Sequence, residues 1–260
     1  MSTLRTRWFF LRKKRSLLKC LKRRIRDDVP STALHGDGSK NIYDTYGDRE
    51  LRNYETGTCR ALVNGEIKRL PYTEVRSAYV APVIGEIQRA AATRSRPIRV
   101  LEVGCGNATN LMLLRRNFGQ TVELSGIDIS GSRIKVGRKY WNRRLDGVFL
   151  HEASATDLSL FQDNQFDVVY SVCALEQITF RIHEVVSEMK RVACDAIVCV
   201  EPIYEYGNDT QRLYNIVNDQ CRTLLQDMRS CELKVEEYGL LSILHNPLNP
   251  VGAVVGRKAV

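Results

Sequence analysis

The sequence predicts an α/β chain, a parallel sheet with helices on both faces. Three observations lead there. Short apolar runs recur at 98–103, 122–127, 147–151, 166–171 and 195–200. Helical stretches separate them at 107–117, 131–144, 155–162 (short) and 180–192. The first run ends in a glycine-bare turn that becomes helical, "RVLEVGCGNATNLMLL" at 99–114.

Size and composition fit that class. The chain has 260 residues, enough for one large domain with an extra segment. Its 43% hydrophobic and 27% charged content is that of a soluble globular protein. No apolar run approaches the roughly 18 residues of a membrane span. The charged, apolar and small-residue pattern of a secretory leader is missing at the start, so none is expected. The 8 cysteines form no CxxC pair, and several lie inside apolar runs. Reduced, mostly buried thiols of a cytoplasmic chain are expected, with neither a disulfide frame nor a metal site.

Charge divides the chain. Residues 1–26 hold 11 of the 39 basic residues and no acid. The remainder has 28 basic against 30 acidic residues, a near-neutral body carrying a basic arm. In "RWFFLRKKRSLLKCLKRRIRDD", Phe10, Leu17, Leu18, Leu21 and Ile25 have helical spacing, and Asp27, Asp28 and Pro30 close the segment. Residues 31–40 read as a linker. Tyr43, Tyr46 and Tyr54 follow among charges, without a clear period. Residues 71–93 read as a helix interrupted near Pro82. After the five core strands come a long helix near 208–229 and two strands, 232–238 and 251–257, joined by "HNPLNPVG". The expected division is an arm at 1–30, a linker and helical lid at 31–95, and a catalytic domain at 96–260.

The turn after the first strand carries the chemistry. Gly104 and Gly106 permit φ > 0 and let a ligand approach the main chain. The helix that follows offers free N–H groups and a positive partial charge. Asp128 ends the second strand, 22 residues after Gly106, well placed to accept from both hydroxyls of a ribose. A dinucleotide usually requires a third glycine, and here Thr109 stands in its place. Glu102, two residues before the first glycine, suits a cationic ligand group better than a phosphate.

These residues resemble the class I S-adenosylmethionine-dependent methyltransferases. "VLEVGCGNATN" looks like their first motif and "LSGIDIS" like their acidic second loop. "ASATDLSLFQDNQFDVVYSVCALEQI" is similar to their adenine-binding loop and fourth strand, and the similarity spans 97–257. The resemblance implies a Rossmann-like, doubly wound, seven-stranded, mostly parallel sheet with a reversed last strand, plus an N-terminal helical extension. It implies S-adenosylmethionine as the cofactor. Gly104, Gly106 and Asn107 would shape the bed of its methionine part, and Glu102 would hold the methionine amino group. Asp128 would take the ribose hydroxyls, with Ile129 on the adenine and Ser154 and Ala155 at its edge. Ser171 would lie near the methionine end. Many members carry Asp where Ser154 stands.

Methyl transfer from a sulfonium is an in-line displacement, so alignment and desolvation supply much of the rate. A hydroxyl acceptor also needs a base at the carboxyl ends of the strands. Glu176 (beside Gln177), Glu201 and His245 meet that placement, each with a competing structural role as a cap, ion-pair partner or turn residue. His35, His151 and His183 fit it less well. The tyrosines before the core read equally as a lid over the cofactor or as ordinary packing.

The expected activity is methylation, at oxygen, of a small-molecule, glycan or lipid-linked acceptor. RNA methylation and a cofactor-binding scaffold without turnover are the alternatives. For residues 5–26, docking on an anionic membrane surface or a protein partner is favoured over RNA contact, organelle targeting and a solvated tail. That reading makes the protein cytoplasmic, peripheral at a membrane.

Overall fold

The computed structural model describes residues 56–258, together with Arg15, Leu18 and Leu51. Apart from Arg15 and Leu18, the basic arm lies outside the described residues, as do the linker and Tyr43, Tyr46 and Tyr54.

The described chain opens with a hairpin, β1 (Thr58–Val63) and β2 (Glu66–Pro71). Its turn is Asn64–Gly65, both at positive φ (49° and 84°), the geometry that twists a two-residue hairpin correctly. This hairpin is an addition to the sequence reading, which assigned no strand there. Helix α1 (Tyr72–Ala91) then runs without a break through Pro82, correcting the expected interruption. A proline inside a helix costs about 3 kcal/mol. Packing offsets this, because Val75, Tyr79, Val80, Val83, Ile87 and Ala90 are all buried along one face.

The alternating core follows: β3 (Ile98–Val103), α2 (Thr109–Phe118), β4 (Val122–Asp128), α3 (Gly131–Trp141) and β5 (Val148–Glu152). Next come β6 (Phe166–Val172), α4 (Ile182–Val192) and β7 (Ala193–Pro202). The chain then forms α5 (Asp209–Val217), α6 (Leu224–Ser230), β8 (Leu233–Leu240), β9 (Ile243–Leu244) and β10 (Val251–Lys258). Seven strands form one sheet in the order β5-β4-β3-β6-β7-β10-β8. The neighbours from β5 to β7 are parallel, while β10 is antiparallel to both β7 and β8. This is the expected mostly parallel sheet with a reversed last strand. A small second sheet, β2-β1-β9, pairs Leu62 with Leu244.

Strand alternation splits the core between two faces. Val100, Val168, Val198 and Val255 pack with α1, α2 and α3. Their chain neighbours Leu101, Val169, Ile197 and Val254 pack with α4 and α6. No helix among the described residues is long and apolar enough to cross a membrane.

Two further expectations fail for local reasons. Residues 155–162 are turns, not a short helix. Their backbone is satisfied from α4 instead: Leu158 N–H donates to Glu188 (2.8 Å), and Arg191 donates to the carbonyls of Leu158 (2.8 Å) and Phe161 (2.9 Å). The long helix near 208–229 is two helices, because Asp219 adopts φ 50° and the chain turns to bury Gln220 and Cys221.

Candidate active site

A cavity of about 670 Å³ opens at the carboxyl ends of β3, β4 and β6. Parallel sheets bind ligands there because the connections diverge at that edge. The first turn forms its floor. Gly104 and Gly106 have φ 79° and 53°. A Cβ on Gly104 would lie 2.3 Å from Ala174 Cβ, so only glycine lets the two loops meet. On Gly106 it would lie 2.4 Å from the Arg133 guanidinium. Gly137 lets α3 press against Asn107, whose carbonyl accepts from Trp141 Nε1 at 2.8 Å.

Asp128 ties the first turn to the second. Its Oδ2 accepts from Gly106 N–H at 2.7 Å, and its Oδ1 accepts from Ser130 N–H at 2.8 Å. Arg133 Nη1 stands 3.9 Å from the same carboxylate. Ser130, not Asp128, caps α3, accepting from Arg133 N–H at 3.2 Å.

Glu102 lies beneath the turn and is fully buried. Oε1 accepts from Asn110 Nδ2 at 2.7 Å, while Oε2 has no hydrogen-bond partner. Burial pushes its carboxyl up to about 7, against the opposing pull of Asn110, Tyr170 and Arg76. The chemistry of this corner, a buried carboxyl with one open oxygen beside a bare loop, fits a ligand ammonium.

Of the residues expected to hold the cofactor, Gly104, Asn107, Asp128, Ile129, Ser154 and Ala155 line the cavity. Glu102 and Gly106 stand directly behind that lining. Ser171 is buried opposite Cys199 in the sheet and lines no part of it, and Val172, Cys173 and Ala174 take that wall. The Ser154 hydroxyl faces Thr156 Oγ1 at 2.8 Å, a local turn contact.

The three residues expected to act as a base stand apart from the lining. Glu201 Oε1 accepts from the N–H groups of Ala174 (3.0 Å) and Leu175 (3.2 Å), and Oε2 from Glu176 N–H (3.4 Å). It caps the turn after β6. Burial, then the Glu176 charge, pushes it up to about 7. Glu176 accepts from Gln220 Nε2 (2.9 Å) and Asn249 Nδ2 (2.7 Å), anchoring the segment after α5 and the loop before β10. Burial raises its carboxyl too. His245 is exposed, its ring edge-on to Tyr72 with centroids 6.1 Å apart. The loop positions are as expected, but the two carboxylates are used to hold backbone and amides.

Arg76 of α1 lines the cavity, and sequence reading passed over it because a cation on a helix normally marks a solvated face. Cys173, at φ 50°, also faces the cavity, as do Gln177, Ile178 and the exposed Phe180 on its rim. The seven cysteines among the described residues are free thiols.

Residues 100–195 match a family described as "Methyltransferase domain". Over that stretch the chain is similar to a methyltransferase domain. A demethylmenaquinone methyltransferase of Halalkalibacterium halodurans is 33% identical to the domain over 104 residues, which is 39% of this chain and 42% of that protein. The match thus spans less than half of that relative's length. Magnesium protoporphyrin IX methyltransferase (ChlM) from Synechocystis PCC 6803, solved with bound SAH, superposes with a TM-score of 0.57 at 12% identity. That alignment covers 85% of this chain and 99% of the other. The cyclase SpnF superposes with a TM-score of 0.61 at 14% identity, over 87% and 97% of the two chains. At such identities the likeness shows the fold of the methyltransferase domain and nothing finer.

Proposed function

We propose that the whole protein transfers a methyl group from S-adenosylmethionine to an oxygen of a modest-sized acceptor. One observation carries the reading: the bare turn at Gly104–Gly106, the Asp128 carboxylate and the 153–157 loop line one cavity, above a buried carboxyl with an open oxygen. The bound cofactor supplies a methyl group on a sulfonium, ready for in-line displacement. The chain's own residues then hold and orient. Gly104 and Asn107 shape the bed, Glu102 receives the ammonium, and Asp128 receives the ribose hydroxyls. Ile129 and Ala155 enclose the adenine, and Ser154 and Ser171 support their loop and strand.

Glu176, Glu201 and His245 serve here as supports of the acceptor side rather than as the base. An acceptor oxygen that is acidic in its own right needs no strong base, and Arg76 at the cavity wall favours its ionised form. Ile178 and Phe180 suit an apolar acceptor body, small or lipid-linked, in keeping with a relative that acts on demethylmenaquinone. We place the arm, residues 5–26, as a docking segment for an anionic membrane surface, which makes the protein a peripheral, cytoplasmic one. Loss of liposome association on deletion of the arm is the expected result, and unchanged association removes that placement.

The test of the central reading is binding followed by transfer. Calorimetry with S-adenosylmethionine detects uptake by the wild-type protein, and Asp128→Ala weakens it about 100-fold, the cost of hydrogen bonds to a charged group. Labelled methyl then passes to a small-molecule fraction of cell extract. Label appearing only in RNA overturns the acceptor class, and uptake without any transfer overturns the enzyme in favour of a scaffold.

A further inference from the structure

Among the described residues, three buried polar atoms behind the first turn lack a hydrogen-bond partner: Glu102 Oε2, Asn110 Oδ1 and the Tyr170 hydroxyl. They come from β3, α2 and β6 and surround one carboxyl group. Asn110 donates to the other oxygen of that carboxyl at 2.7 Å. The Tyr170 hydroxyl is close enough to influence its ionisation, and is influenced in return, without reaching hydrogen-bond geometry. Buried groups of this kind favour a ligand that brings donors.

We propose that Tyr170 and Asn110 are positioning residues that set the proton affinity of Glu102, so that uptake of the cofactor's α-ammonium group displaces one proton from this carboxyl to solvent. The inference rests on the cofactor reading above. Burial favours the neutral carboxyl in the free protein, while the Asn110 donor and the nearby Tyr170 hydroxyl keep its proton removable near neutral pH. An ammonium entering beside Oε2 brings positive charge and N–H donors, and the O–H proton leaves as the ion pair forms. Three ionisable groups act on this carboxyl. Arg76 from α1 and the Tyr170 hydroxyl favour its ionised form, and Asp128 at the end of β4 opposes it. Cys105 in the first turn is itself pushed well up by burial and stays a thiol.

The sign follows. Glu102 is raised to about 7 in the free protein and lowered once an ammonium faces it. Affinity therefore falls about tenfold per pH unit below about 7, and is flat above it.

The experiment is calorimetry of S-adenosylhomocysteine binding to the full chain, in buffers of different ionisation enthalpy. About one proton is released at about pH 6 and about none at about pH 8. Tyr170→Phe moves the pH midpoint upward while affinity well above it is kept, and a purely structural tyrosine would weaken binding equally at every pH. Glu102→Gln, which keeps the shape, binds weakly and without proton release. Wild-type binding with no proton release, or a Tyr170→Phe midpoint equal to that of the wild type, overturns this inference alone. No binding of S-adenosylhomocysteine at any pH overturns the cofactor reading with it.

Discussion

Glu102 and Asp167 lie on neighbouring strands, both fully buried, at opposite ends of the sheet. Their surroundings could hardly differ more. Asp167 accepts two hydrogen bonds from Arg96 at 2.7 Å each and one from Arg99 N–H at 2.8 Å, with Arg94 Nε at 3.2 Å. Burial alone would raise its carboxyl, but these partners hold it well below the usual carboxylate range. Glu102 has a single amide donor, and burial wins. At the amino ends of the strands a carboxylate is saturated and welds the segment after α1 to β6. At the carboxyl ends a carboxylate is left one partner short, which suits a ligand rather than the fold.

The largest effect that breaks this contrast is expected from Asp167→Ala. Removing one member of a buried pair network costs about 3 kcal/mol, read by denaturant unfolding. Its folded carboxyl is depressed, so its contribution is present above about pH 4 and is lost as the medium acidifies further. Wild-type stability should therefore fall steeply below about pH 4, and the variant should lack that part of the fall.

Glu102→Gln should act in the opposite direction. A carboxyl raised to about 7 binds its proton more tightly folded than unfolded, so its penalty grows as pH rises from about 4 to about 7. The amide should stabilise the free protein by about 1 to 2 kcal/mol at about pH 8, while weakening cofactor binding. A variant that is less stable at that pH would place Glu102 with Asp167, as a structural group.

The smallest effect sharpens the comparison. Glu176→Gln replaces an acceptor of two amide donors with a side chain that can keep only part of that pairing. It should cost about 1 kcal/mol of stability and leave S-adenosylhomocysteine affinity unchanged in calorimetry. A large loss of affinity would move Glu176 from anchoring Gln220 and Asn249 into the cofactor site.

Much of this was legible in the residues. The five core strands are apolar on both faces, because helices cover both, and such runs stand out in any sequence. The hairpin was passed over since "EIKRLP" is half-exposed and charged, although the Asn64–Gly65 pair carried its turn signal. Pro82 read as a break because local geometry forbids a bond that long-range packing outweighs. Glu176 and Glu201 read as a base because position in the chain places them at the right edge of the sheet. It says nothing of where their lone pairs go.

The sequence by itself determined the alternating architecture, the bare first turn, and the acids at 102 and 128. These follow from local periodicity and from spacing along one βαβ unit. Only the tertiary structure decided which carboxylates are satisfied and that Glu102 is left one partner short. It also decided that Arg76 and Cys173 face the cavity and that Ser171 does not. Hydrogen-bond satisfaction depends on residues far apart in the chain, and folding alone brings Asn110 and Tyr170 to Glu102, or Arg96 to Asp167.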